Sequence, residues 1–194
     1  YLLYRLRRHL YELTHADYPW LTPHANNILS RWLRKDHVGF EWGAGRSTLW
    51  FAKRCKFLTS VEHDLFWYYR ISRSIRAHKL DNIKLILAKD KESYVGAIDN
   101  FEDNSIDFIL IDGKYRNECA LKAVRKVKAG GLLIIDDANR YFPSPSKNPR
   151  SRSLHKKIET SIWSDFLKLV EKWYCIWTSD MITDTAIYVK TKSN

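Results

Sequence analysis

Val38-Gly39-Phe40-Glu41-Trp42-Gly43-Ala44-Gly45-Arg46-Ser47-Thr48 runs from a short apolar stretch, through a turn carrying two glycines, into a helical pattern. The residues before Glu41 suit a buried strand. Gly43 and Gly45 allow a tight turn and a close approach of backbone to a ligand, and Ser47 or Thr48 can cap the helix that follows. A strand that hands over to a helix through such a turn is the opening of a β-α-β unit.

Working outward from that stretch, short apolar runs alternate with helical patterns. After the strand at residues 38–40, residues 47–55 read as helix, 57–61 as strand and 64–79 as helix. Residues 83–87 then read as strand, 91–98 as a short helix, 106–111 as strand, 116–127 as helix and 132–135 as strand. Such a series predicts a parallel sheet covered on both faces. Residues 174–178 and 186–189 are two further strands around a polar turn at 179–184. They predict an antiparallel hairpin, so that an otherwise parallel sheet closes with a reversed strand. Before the sheet, Leu2, Leu6, Leu10 and Leu13 recur at helical spacing among Arg and His. Thr22-Pro23 starts a second helix with Ile28, Leu29, Trp32 and Leu33 facing inward. Residues 141–153 hold three prolines with many Ser and Arg, a loop by composition. Ile162, Phe166, Leu169, Val170 and Trp173 mark a last amphipathic helix. No internal repeat is found.

The whole chain of 194 residues reads as one domain: a helical segment at 1–35, a ligand-binding core at 36–137, and a substrate-side loop, helix and hairpin at 138–194. Hydrophobic residues make up 45% and aromatic ones 14%, which excludes a disordered chain. The formal charge of +11 leaves nucleic acid, an anionic substrate or an anionic surface open as partner. The basic groups at Arg5/Arg7/Arg8 and at residues 70–79 read as solvated helix faces. Cys55, Cys119 and Cys175 are odd in number and unpaired in spacing, hence reduced. No apolar run approaches a membrane span and no signal-peptide pattern is visible, so a cytoplasmic protein without a membrane partner is expected. A chain that opens on Tyr1 rather than Met leaves any segment before it open.

In an open parallel sheet, ligands bind beyond the carboxyl ends of the strands. Nearly every residue there is acidic: Glu41, Glu62, Asp90, Asp112, then Asp136 and Asp137. On a chain of positive charge this crown of carboxylates calls for a cationic ligand that also carries ribose hydroxyls, and S-adenosylmethionine is such a ligand. Glu62 lies nineteen residues beyond Gly43 (62 minus 43), the placement of a carboxylate that grips a ribose. Thr48 stands where the dinucleotide fingerprint needs a third glycine, which demotes nicotinamide and flavin cofactors.

At residues 40–48, at Ser60-Val61-Glu62-His63-Asp64, at Ile109-Leu110-Ile111-Asp112-Gly113 and at residues 130–137, the chain resembles the class I S-adenosylmethionine-dependent methyltransferases. The resemblance covers roughly residues 36–190. It implies a Rossmann-like three-layer α/β sandwich whose seven-stranded, mostly parallel sheet has its last strand antiparallel, here with two additional amino-terminal helices. It also implies that Gly43 and Gly45 pass under the methionine part of the cofactor, with Glu41 near its amino group and Ser47 among the cofactor-binding residues. Glu62 would bind the ribose and Asp90 the adenine amino group, and Asp112 would touch the cofactor.

Methyl transfer is an in-line displacement, so the protein must align the acceptor and manage its proton. Methyltransferases of nucleic-acid amino groups carry an Asn/Asp-Pro-Pro-aromatic motif where this chain has Asp112-Gly113-Lys114-Tyr115, which favours a hydroxyl acceptor such as a saccharide or secondary metabolite. Asp112 and Asp136 are the catalytic candidates. With Asp137 they are similar to the magnesium ligands of catechol-type O-methyltransferases, although Asp137 replaces an Asn; the competing reading makes them loop caps and cofactor contacts. His63 and His155 are alternative bases. Arg116 is placed to pair with an acidic substrate or with a neighbouring carboxylate. The loop at 141–152 lies where a lid would be, and Arg150 and Arg152 on it suit an anionic acceptor. Two other functions stay open: an RNA methyltransferase, and a catalytically silent domain that binds a nucleoside or a protein partner. The oligomeric state is not legible.

Overall fold

The computed structural model describes residues 1–192. Two helices, α1 (Leu2–Thr14) and α2 (Pro23–Trp32), lead into β1 (Val38–Trp42), α3 (Arg46–Ala52), β2 (Phe57–Glu62), α4 (Leu65–Ala77) and β3 (Ile83–Leu87). There follow α5 (Lys91–Gly96), β4 (Ile106–Ile111), α6 (Arg116–Lys126), β5 (Val127–Ile135), α7 (Ser161–Leu169), β6 (Tyr174–Ser179) and β7 (Asp184–Val189). The strands form one seven-stranded sheet in the order β3-β2-β1-β4-β5-β7-β6. Strands β1 to β5 are parallel, and β7 runs antiparallel to both β5 and β6. The reversed strand is thus the last in the chain but second from the edge, and β6 closes the sheet.

Period-two alternation explains the two cores. On β4 and β5, Ile109, Ile111, Leu133 and Ile135 face the layer of α5, α6 and α7, where Trp163 and Phe166 are fully buried. Phe108, Leu110, Leu132 and Ile134 face α2 and α3, against Leu29, Trp50 and Phe51. A sheet apolar on both faces must be covered on both. Gly39 is opposite Phe108 in the register, and a Cβ there would lie 2.1 Å from the Phe108 ring. The absent side chain lets that ring lie across β1.

Strand β5 begins five residues earlier than its pattern suggested, at Val127. Gly130 sits at φ +79° within the strand, and the β4–β5 register shifts between Ile106 and Phe108. A bulge accommodates them. The amino-terminal helices join the sheet at its far edge: Thr22 caps α2 by accepting from the Ala25 N–H, and its backbone N–H and hydroxyl reach Thr185 and Thr178.

Candidate active site

The order of strands reverses between β1 and β4, and the site opens above that point. Gly43 follows β1 at φ +98°, and a Cβ on it would lie 2.8 Å from the Asp112 carbonyl carbon and the Gly113 nitrogen. Here β1 and β4 pass with no room for a side chain. The loop is pinned from below: the Gly43 N–H donates to the Val61 carbonyl (2.9 Å) and the Asp112 N–H to the Trp42 carbonyl (2.9 Å).

Glu41 does the pinning of α3. Its buried carboxylate accepts from Ser47 Oγ at 2.8 Å, from Ser60 Oγ at 2.7 Å and from the Thr48 hydroxyl. Thr48 Oγ1 in turn accepts from the Gly45 N–H (2.9 Å). The side chain therefore ties β1, β2 and the start of α3 together beneath the loop and does not line the cavity above it, in contrast to its expected place beside a cofactor amino group. Burial pushes the Glu41 carboxyl up to about 7, against the three hydroxyl donors that favour its charge. Its folded pKa exceeds its unfolded value of 4.5, so between these pH values the folded chain holds a proton that the unfolded chain has released. The stability contributed by this group is full below that window and is lost as pH rises through it. Glu41→Gln is expected to flatten the slope of unfolding free energy against pH across this window by up to about 1.4 kcal/mol per pH unit. Urea denaturation of both chains over a pH series measures it, and equal slopes would refute the assignment.

A cavity of about 590 Å³ lies over the loop, lined by Gly43, Ala44, Gly45, Arg46 and Ser47, by Glu62, His63, Asp64 and Trp67, by Asp112 and Gly113, and by Trp20. Glu62 is held by backbone donors: Oε1 accepts from the N–H groups of His63 and Asp64 (2.7 Å each) and Oε2 from Ala44 N–H (3.1 Å). Two acceptances fill Oε1, while Oε2 retains a lone pair for a ligand hydroxyl. Asp64 caps α4 by accepting from Trp67 N–H (2.7 Å), and the Trp67 indole donates back to the Ala44 carbonyl. Asp90, expected at the adenine, caps α5 instead through Ser93 N–H (2.8 Å), is exposed and does not line the cavity.

A second cleft of about 450 Å³ shares Trp20, Arg46 and Asp112 with the first and adds Arg8, Glu12, Asp136, Asp137, Arg140, Asn148, Ile182 and Thr183. Asp112 therefore stands at the seam. Arg116 holds it: Nη2 donates to Asp112 Oδ1 (2.8 Å) and to the Asp112 carbonyl (3.0 Å), Nη1 to the Asp136 carbonyl (2.5 Å) and Nε to the Gly113 carbonyl (2.9 Å). Of the two roles open to Arg116, the structure gives it the carboxylate. Burial raises the Asp112 carboxyl, opposed by Arg116. Asp136 is raised well above the ordinary range by burial and by the charges of Asp112 and Asp137.

The magnesium expectation for Asp112, Asp136 and Asp137 is not supported by this geometry. Arg116 already supplies the cation at Asp112, Thr185 donates to Asp136 (3.1 Å), and Asp137 is taken by Thr183 (2.7 Å) and Arg140 (2.7 Å). Among the described residues no group of three or more His, Cys, Asp or Glu is arranged to hold a metal ion. The catechol-type triad thus does not fit these residues.

His63 borders the first cavity, and His155 is exposed just beyond the loop. That loop is anchored rather than free: Ser144 donates to Asp184, and the Arg152 N–H to the Asn139 carbonyl (2.7 Å). Arg150 and Arg152 do not line the second cleft; Asn148 does, donating to the Ile182 carbonyl. The arginines that do line it are Arg8, Arg46 and Arg140. Sequence reasoning missed Trp20, Arg8 and Glu12, which reach the site only because the amino-terminal segment folds back over the β6–β7 turn. There Arg8 pairs with Asp180 (2.7 Å) and donates to the Trp20 carbonyl (2.6 Å), so it is no solvated residue. It missed Arg46 and Trp67 as well; Arg46 lay inside the glycine loop and was the one with a local signal.

No family model matches this chain, and no curated protein matches it. Solved structures do. An rRNA methylase from Streptococcus thermophilus superposes with a TM-score of 0.61 at 13% identity, covering 87% of this chain and 95% of that one. A Streptococcus mutans protein in complex with SAH gives 0.63 at 12%, covering 86% and 96%. A SAM dependent methyltransferase from Aquifex aeolicus gives 0.57 at 12%, covering 91% and 92%. These likenesses show that the chain has the fold of the class I S-adenosylmethionine-dependent methyltransferases.

Proposed function

We propose that this chain is an S-adenosylmethionine-dependent methyltransferase acting on the hydroxyl of a small acceptor such as a saccharide or secondary metabolite. The observation that carries the reading is the junction at Asp112 of two cavities, one over the glycine loop and one over Asp136. The first has the volume of a cofactor site. The Streptococcus mutans structure of the same fold is a complex with SAH.

When bound, S-adenosylmethionine supplies an electrophilic methyl group on a sulfonium. The chain's own residues do the rest. Glu62 Oε2 would accept a ribose hydroxyl, Gly43 and Gly45 would let the backbone approach, Ser47 stands at the loop, and Trp20 and Trp67 line the cavity. In the second cleft Asp136, its carboxyl raised by burial and by the charges of Asp112 and Asp137, is the residue placed to take the acceptor's proton. Asp112, fixed by Arg116 where the two cavities meet, would help to align the acceptor.

Glu62→Ala is expected to weaken S-adenosylmethionine binding about tenfold or more, roughly 1.4 kcal/mol, by calorimetry. Native chain that binds neither cofactor nor SAH would overturn the reading in favour of a silent domain. The charge of +11 favours a second acceptor class, RNA. That reading requires RNA affinity that falls steeply with salt. Methylation of a small hydroxyl acceptor with salt-insensitive kinetics would decide against it.

A further inference from the structure

Helix α1 is docked by the wrong face for a domain helix. Its part-buried residues are Tyr4, Arg8, Tyr11 and Glu12, a polar and aromatic stripe at helical spacing. That stripe makes the helix's contacts: Arg8 with Asp180 and the Trp20 carbonyl, Tyr11 Oη accepting from Asn26 Nδ2 at 3.4 Å, and Tyr4 under Lys147 Nζ at 5.5 Å. Leu2, Leu3, Leu6, Leu10 and Leu13 are all between 53% and 80% exposed, and no residue of α1 is fully buried. At 3.6 residues per turn these five leucines fall in a sector of roughly 100°. Exposed Arg5 and Arg7 border that sector, one on each side. Five leucines on one outward face form an apolar patch that calls for a covering.

We infer that α1 lies on an anionic lipid surface, with its leucines in the headgroup boundary and Arg5 and Arg7 among the headgroups. Apolar sector, flanking arginines and a chain charge of +11 are the two signals, hydrophobic and electrostatic, that interfacial binding needs. Among the described residues no helix is long and apolar enough to cross a membrane, so the helix lies on the surface and does not span it. A second copy fits less well. A helix of 13 residues is about 20 Å long, and paired with its twin it covers a few hundred Å² per partner, roughly half of the ~800 Å² a stable interface needs. Pairing would also bring two strongly basic chains together.

Flotation of the full chain with phosphatidylcholine vesicles, with and without phosphatidylglycerol, tests this. The native chain is expected to float with the phosphatidylglycerol vesicles and to stay behind with phosphatidylcholine alone. Leu6→Gln/Leu10→Gln is expected to lower the partition coefficient on the order of tenfold or more. Its melting transition and cofactor binding stay unchanged, because these side chains line neither cavity. Arg5→Glu/Arg7→Glu keeps the leucines and is expected to lose the preference for phosphatidylglycerol. Native chain that does not float, or a leucine variant that floats equally well, overturns the proposal. So does a dimer in sedimentation velocity that the leucine variant abolishes, which would assign the face to a second copy.

Discussion

Arg116→Ala is expected to cost about 2–4 kcal/mol of unfolding free energy, the largest loss for any single residue around the site. The guanidinium donates to the carbonyls of Asp112, Gly113 and Asp136 and to the Asp112 carboxylate, four acceptances from one side chain that is 10% exposed. Removing it strands three carbonyls and leaves a raised carboxyl without its cation. Asp112 keeps some access to solvent, which holds the cost below that of a fully buried charge. Arg116→Lys restores the charge but not the fork of donors, so it should recover only part of the loss. Urea denaturation gives the figure. A loss below about 1 kcal/mol would mean that water replaces the guanidinium and that Asp112 is not fixed by it.

Gly43→Ala is expected to lower S-adenosylmethionine affinity on the order of a hundredfold and stability by about 1–3 kcal/mol. A methyl group at φ +98° is strained, and it would meet the Asp112 and Gly113 backbone at 2.8 Å, where nothing can rotate away. The loop must lift, and with it the floor of the cavity. Gly45→Ala is the matched control. Its φ of −172° is extended backbone open to any residue, and an added Cβ meets only Ser47 Oγ at 3.9 Å. Equal calorimetric affinities for Gly43→Ala and the native chain would remove the loop from the binding site.

The alternation of apolar runs and helical patterns carried the order of the elements, because a strand buried on both faces has a local signature. Ile106–Ile111 is as apolar in sequence as it is buried in the sheet. The carboxylates at the strand ends were legible as positions but not as directions. Glu41 and Glu62 both end strands, yet Glu41 turns under the loop because Ser47, Thr48 and Ser60 offer it three hydroxyls there, and Glu62 turns over it toward Ala44 N–H. Asp90 sits three residues before Ser93, the spacing of a helix cap, and that local bond wins. The second cleft was least legible. Arg8, Glu12 and Trp20 lie more than ninety residues from Asp112 in the chain, and no local pattern announces such a contact.

The two faces of α1 make it a lever. Arg8 and Glu12 wall the second cleft on one side while the leucines look outward on the other. A molecule in the cleft and a surface against the leucines thus hold the same rigid rod. If both bind, any coupling between them through the helix would be reciprocal.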